Sequence, residues 1–350
     1  MKSVRETDER SLSLTDLSRV VVRAPNWLGD AVMALPAMTA VRRAFEGRTV
    51  IVAARPGVAP LFRELTGVAP DEIAVVDERG EAGQLRRQGA NAILLMPNSF
   101  RSAWVARLAG VRERWGYRSS GRGWLLTRGA ARPRRSSGPL HHIEYYRELV
   151  RALGFDPGQD AIPQLKARPS TLEKADALLE RSGLMTGERV VGFAPGAAYG
   201  TAKRWPPDRI AQVVRALARQ GTAAVLVGAS GDRDSGRAIE SALPAGTRLV
   251  NLIGRTSLGE LIGVVARCAA FVSNDSGAMH VAAALGVPLT AIFGPTDEHV
   301  TAPASAGRVD LIVRDVFCRP CLLRECPIDH RCMKRIDTES VLTSIVGHLG

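Results

Sequence analysis

Short, predominantly apolar runs recur along this chain and constrain its fold more than any other feature. Arg19–Arg23 (RVVVR) is followed by 49–53, 73–76 and 92–96; after a gap come Val190–Ala194, 223–227, 249–252, 270–273 and 289–293. Each is about five residues long and lacks the apolar-polar alternation of a strand with one wet face. Strands that are apolar on both faces belong in parallel sheets covered by helices. Amphipathic segments at 31–45, 207–220, 257–267 and 278–285 separate the runs and read as crossover helices. The expected class is α/β.

The gap between the two series falls at 154–170, where Pro157, Gly158, Pro163 and Pro169 predict a linker. Two Rossmann-like halves follow, 19–160 and 161–350, with a cleft between them at the carboxyl ends of their strands. Residues 1–18 are polar, unpatterned and expected to be a tail. The last helix is a candidate to pack back on the first half.

At 350 residues and 45% hydrophobic content the chain is long and apolar enough for two folded domains, which excludes intrinsic disorder. No apolar run reaches the roughly 18 residues of a membrane span. The opening MKSVRETDER has no apolar segment behind it and is no secretory signal, so the expected compartment is the cytoplasm.

Charge is unevenly spread. Of 47 Lys+Arg and 35 Asp+Glu, residues 1–170 hold 27 basic and 17 acidic, and 101–151 hold 12 and 3. Such a patch suits an anionic partner, whether nucleic acid or an anionic membrane, or serves only as a solubilising surface. Aromatics are 5%, without the ring-and-basic interleaving of a single-strand nucleic-acid platform.

Three strand-to-helix loops carry candidate chemistry. In Asn26-Trp27-Leu28-Gly29-Asp30 the glycine permits a tight turn. Asp30 is either a helix cap or a cleft-facing general base, and Trp27 either packs or meets substrate. In the loop 195–206, Gly196, Gly200, Thr201 and Lys203 suit a diphosphate, or form an ordinary glycine-rich loop with a solvated Lys203-Arg204 pair. Its spacing is neither a Walker A nor a GxGxxG loop. In 274–280, Ser276 and Gly277 would offer N–H groups at a helix start, Asp275 could accept from sugar hydroxyls or cap, and His280 falls on the first turn.

Two further groups are weaker. Cys318, Cys321, Cys326 and Cys332 include one CxxC with metal-ligand spacing, but the other gaps are short for a zinc site; packing, metal and redox roles stay open. Asp232-x-Asp234 either opens a helix or offers a carboxylate to a ribose.

RAPNWLGDAVMALPA, PNSFRSAWVARLAGVRERWGYR, PGAAYGTAKRWP, NDSGAMHVAAALGVPLTAIFGPT and CRPCLLRECPIDHRCM occur in this order. From Arg19 to its end the chain resembles the ADP-heptose:lipopolysaccharide heptosyltransferases, most of all those that add the second heptose. The resemblance implies a GT-B fold and an inverting transfer from ADP-L-glycero-β-D-manno-heptose, with no cofactor or metal, to the first heptose of a lipid A–Kdo–heptose acceptor. It implies Asp30 as base and Lys203 at the leaving diphosphate. Gly196, Gly200, Thr201, Asp232, Asp275, Ser276, Gly277 and His280 would bind the donor. Asn26, Trp27, Asn98, Ser99, Arg101 and Arg118 would meet the acceptor. The basic first half would then rest on the anionic cytoplasmic face of the inner membrane. A relative with another heptose acceptor, or a non-catalytic nucleotide- or nucleic-acid-binding protein, are the alternatives.

Overall fold

The computed structural model describes residues 17–133, 138, 140–159, 161–185 and 187–350. The first half contributes β1 (Arg19–Arg23), β2 (Thr49–Ala54), β3 (Leu65–Thr66), β4 (Glu72–Val75), β5 (Ala92–Leu95), β6 (Glu113–Tyr117) and β7 (Arg128–Ala130). The second contributes β8 (Leu165–Lys166), β9 (Val190–Ala194), β10 (Ala223–Leu226), β11 (Leu249–Asn251), β12 (Ala270–Asn274), β13 (Leu289–Phe293) and β14 (Val309–Val313). Two six-stranded sheets result, ordered β4-β2-β1-β5-β6-β7 and β11-β10-β9-β12-β13-β14, parallel throughout.

The apolar runs are two-faced, as their composition demands. On β1, Val20 and Val22 enter one core with Val50 and Val52, while Val21 enters the opposite core with Ile51 and Ile93. The first of these cores also takes in Ile262, Val281 and Ala284 from the second half, so the halves share apolar packing. The strands β6, β7 and β14 were not legible as apolar runs. β6 is ERWGY, β7 is only RGA and β14 is VDLIV; all three lie at the outer side of their sheets.

The helix expected over 31–45 is two helices, Leu28–Met33 and Leu35–Ala44. Pro36 has no N–H to continue the ladder, so the helix restarts around it. The 154–170 linker is not featureless: β8 pairs antiparallel with β3, and the helix Pro169–Arg181 begins at its end. Glu64 reaches across to that helix, accepting from the Arg168 N–H and the Thr171 hydroxyl, both at 2.7 Å.

The last helix, Thr338–Leu349, does not return to the first half. Its Val341 and Ile345 pack with Val191 and Ile292 on the second sheet, and Ser344 bonds Thr290 at 2.6 Å and Asp310 at 2.8 Å. That sheet face supplies both an apolar surface and polar partners, which outcompete the first half. The expected tail lies outside the described residues except for Leu17 and Ser18, and Leu17 is fully buried in the core. Among the described residues no helix is long and apolar enough to cross a membrane.

Candidate active site

In each sheet the chain builds outward in one direction, then returns to the centre and builds in the other. The reversals fall between β1 and β5 and between β9 and β12. Loops diverge at such a switch point and leave a crevice. The three strand-to-helix loops read from the sequence, and the segment that carries Asn98, Ser99 and Arg101, each leave one of these four strands; Arg118 and Asp232 follow β6 and β10 instead.

After β1, the Arg23 guanidinium is buried and donates to Glu81 at 2.7 Å, to the Ala24 carbonyl at 2.6 Å and to the Asn26 side chain at 2.8 Å. Glu81 also receives Arg101 at 2.5 Å. Asn26 and Arg101, proposed separately as acceptor contacts, are thus joined through the buried Arg23–Glu81 pair. Burial alone would push the Glu81 carboxyl up; Arg23, Arg101 and Arg55 outweigh it, and it sits below its usual range.

Trp27 takes the N-cap position of Leu28–Met33 with no side-chain cap bond, and is 59% exposed. Asp30 lies inside the helix, so the capping alternative falls away. Its Oδ1 lies 3.2 Å from Nδ1 of His142. His142 opens the helix His142–Ala152, and its neighbour His141 bonds the Ala302 carbonyl of the second half at 2.9 Å. Asp30 is therefore approached by a histidine from a distant segment.

After β5, Ser99 caps the helix Phe100–Leu108 by accepting from Ser102 N–H at 3.2 Å. Asn98 donates to the Tyr145 hydroxyl at 2.8 Å. Arg118 is exposed and lies over Gly129, where a Cβ would come within 2.6 Å of its Nε. Ser99 is thus engaged structurally, while Arg118 presents an open charge.

After β9, Lys203 ends a single turn, Thr201–Lys203, and its Nζ sits 2.6 Å from Oδ2 of Asp275. It also lies over the Tyr199 ring at 4.9 Å, and Arg324 lies over the same ring at 5.1 Å. The two glycines of the loop allow close packing of protein groups. A Cβ on Gly196 would fall 2.1 Å from the Asp232 carboxylate, and one on Gly200 would fall 2.2 Å from the Arg324 carbonyl. Asp232 pairs with Arg204 at 3.0 Å and accepts from Ala229 N–H at 3.2 Å, whereas Asp234 is exposed and paired with Arg237.

After β12, buried Asn274 ties this loop to the one after β9: it donates to the Pro195 carbonyl at 2.7 Å and accepts from Trp205 N–H at 3.2 Å. Asp275 receives Thr296 at 2.7 Å on the same oxygen that meets Lys203. Ser276 is the N-cap of Gly277–Ala284 without a side-chain cap bond, so the first N–H groups of that helix lack a side-chain acceptor. Its hydroxyl instead lies 3.1 Å from that of Ser273.

The two sides meet where Leu28–Met33 crosses Gly277–Ala284. A Cβ on Gly29 would fall 2.8 Å from the His280 ring, and one on Gly277 would fall 3.0 Å from Leu28. His280 is buried at this crossing, with Asp275 and Asp30 both acting on it. Burial outweighs the two carboxylates and pushes its imidazole down to about 4, so it is neutral at pH 7.

Sequence reasoning missed His142, Thr296, Tyr199 and Arg324. His142 had a weak signal, the His141-His142 pair ahead of an amphipathic helix. The others lie within the quoted motif segments, but nothing local marks their contacts, which arise by folding. The four clustered cysteines are unpaired, Cys332 being buried and Cys326 accepting from His330 N–H at 3.2 Å. Among the described residues the one trio of metal-capable side chains held close together is Asp297, Glu298 and His299, not the cysteines. Asp297 there caps a short turn of helix, and Glu298 pairs with Arg319.

Two parallel α/β sheets with site loops at facing switch points define a GT-B type glycosyltransferase. Residues 82–331 match glycosyltransferase family 9 (heptosyltransferase), and the chain belongs to that family. It is 31% identical to lipooligosaccharide heptosyltransferase 2 of Haemophilus influenzae, and 32% identical to lipopolysaccharide heptosyltransferase 2 of Escherichia coli. Each match covers 82% of this chain and 86% of the relative. The solved structure of E. coli ADP-heptose lps heptosyltransferase II superimposes with a TM-score of 0.80 at 28% identity, covering 95% of this chain and 98% of that one. An E. coli heptosyltransferase solved with ADP shares the fold at a TM-score of 0.69 and 19% identity, over 94% and 99% of the two chains.

Proposed function

We propose that this enzyme transfers L-glycero-D-manno-heptose from ADP-heptose to the first heptose of the lipopolysaccharide inner core, with inversion. The observation that carries the proposal is the placement of Lys203, Asp275 and the helix start at Ser276-Gly277 on one side of a crossing, and Asp30 on the other. The acceptor hydroxyl attacks the anomeric carbon as its proton passes to Asp30. The bond from that carbon to the β-phosphate oxygen breaks, and ADP leaves. Lys203 and the helix N–H groups stabilise the charge that gathers on ADP, so the scheme has no metal in it. Gly196, Gly200, Thr201, Asp232 and His280 shape the donor side, and Asn26, Trp27, Asn98, Ser99, Arg101 and Arg118 the acceptor side.

The acceptor is lipid-borne, and the basic first half holds the enzyme peripherally at an anionic cytoplasmic membrane face. Purified protein supplied with ADP-heptose and acceptors bearing zero, one or two heptoses tests the acceptor assignment. Product from the one-heptose acceptor alone is expected. Efficient transfer to the acceptor without heptose would overturn the second-heptose assignment.

A further inference from the structure

Four large apolar side chains stand together in water on the first half. Phe100, Trp104 and Leu108 recur every fourth residue along Phe100–Leu108, and Trp124 joins them from the turn Gly123–Leu125. The ring centroids are 6.3 Å apart for Phe100–Trp104, 6.2 Å for Phe100–Trp124 and 6.5 Å for Trp104–Trp124. Trp124 is nevertheless 67% exposed, Leu108 47%, Phe100 42% and Trp104 39%. The helix does not lack an inner face: Ala103, Val105 and Ala106 already fill the core with Ile93 and Leu95. The stripe is a second, surplus apolar face, and such a patch marks a partner.

The charge of the segment is one-sided. Arg101, Arg107, Arg112 and Arg118 are exposed, and the only carboxylate between residues 100 and 143 is Glu113, which is buried. Indole rings favour the headgroup level of a bilayer, and guanidinium groups favour its anionic phosphates. Nucleic acid fits less well, because stacking on bases needs open ring faces and these rings lie against one another. A second copy of this chain would bring like charge to like charge. The stripe starts one residue beyond Ser99, so a bilayer seated on it would lie beside the loop after β5.

We infer that Phe100, Trp104, Leu108 and Trp124 are the surface that seats this enzyme on an anionic bilayer. The inference rests on the proposal of a lipid-borne acceptor and names the contact that proposal lacks. The test is co-sedimentation with phosphatidylglycerol–phosphatidylethanolamine vesicles at low and high salt. It compares wild type, Trp104→Ser with Trp124→Ser, and Leu108→Glu. Binding to the vesicles should weaken roughly tenfold or more in either variant, and salt should weaken the wild type. Transfer to a deacylated, water-soluble one-heptose acceptor should be unchanged.

Undiminished vesicle binding by both variants overturns the inference, as does a variant-dependent change in oligomeric state or loss of oligonucleotide binding in place of vesicle binding. Loss of transfer to the soluble acceptor in the variants would assign the rings to the active site instead. A wild type that binds vesicles but never uses a one-heptose acceptor fails the proposed function and leaves the membrane surface standing.

Discussion

Lys203 and Asp275 form an ion pair of 2.6 Å across the loops that follow β9 and β12, both largely buried. Thr296 donates to the same carboxylate oxygen at 2.7 Å. Lys203 is therefore held in place before any diphosphate arrives, and little ordering of its long side chain remains to be done on binding. Lys203→Met should lower kcat roughly 10²–10³-fold, the loss seen when one preorganised contact to a developing anion is removed. Asp275→Asn should cost less in kcat, because the lysine remains. Steady-state kinetics of both variants check the order, and Lys203→Met turning over like wild type would remove Lys203 from the leaving-group side.

Asp30 and His142 are 3.2 Å apart; in the proposed mechanism Asp30 is the base and His142 the residue that positions it. Asp30→Asn should keep ADP binding by calorimetry and lose about 10²–10⁴ in turnover, the contribution of a placed general base. His142→Gln should lose roughly tenfold, the scale of one hydrogen bond. A His142 variant as damaged as Asp30→Asn would mean that the histidine itself carries the proton.

The sequence made much of this legible for a physical reason. Strands buried on both faces are mostly apolar, so β1, β9 and β13 stand at their expected bounds. The site loops were legible because each follows such a strand and carries glycine, a hydroxyl or a charge. Interactions between distant segments were not. Glu113 and Trp115 of β6 are buried polar and aromatic groups that satisfy each other at 3.1 Å, a pairing invisible to hydropathy. His142 meets Asp30 from 112 residues away. Gly196 and Gly200 were expected in a diphosphate loop; the protein groups that approach them are Asp232 and Arg324.

Burial of His280 sets an acid limit on stability. Its imidazole titrates near 4 in the folded chain against an ordinary 6.5, because burial disfavours the cation more than Asp275 and Asp30 favour it. Above pH 6.5 both folded and unfolded forms are neutral and the residue contributes no pH dependence. As pH falls from 6.5 toward 4 the unfolded chain takes up the proton first, so stability declines, by roughly 3 kcal/mol over that window. His141, pushed down by its own burial, acts in the same direction. Urea midpoints measured across pH 4–7 should fall toward the acid side, and His280→Asn should flatten the fall. An equally steep profile in that variant would shift the cause to other groups.

The Arg23–Glu81 pair governs the loop before Asp30 and can be separated from the chemistry. Both side chains are 3% exposed, and Arg101 and Arg55 converge on the same carboxylate. Glu81→Leu would strand the Arg23 cation in the interior, at a cost of about 3–5 kcal/mol. Replacing both partners, Arg23→Met with Glu81→Leu, removes the buried charge together with its counter-charge. The double variant should recover much of the stability lost in the single one, because well-packed apolar groups replace a buried pair with little penalty. It should not recover turnover fully, since Asn26 loses the donor that holds it and Arg101 loses its anchor. Chemical denaturation paired with kinetics on the same three proteins reads both effects. Full recovery of activity alongside stability would show that Arg23 and Glu81 serve only to support the fold and that Asn26 needs no fixed orientation.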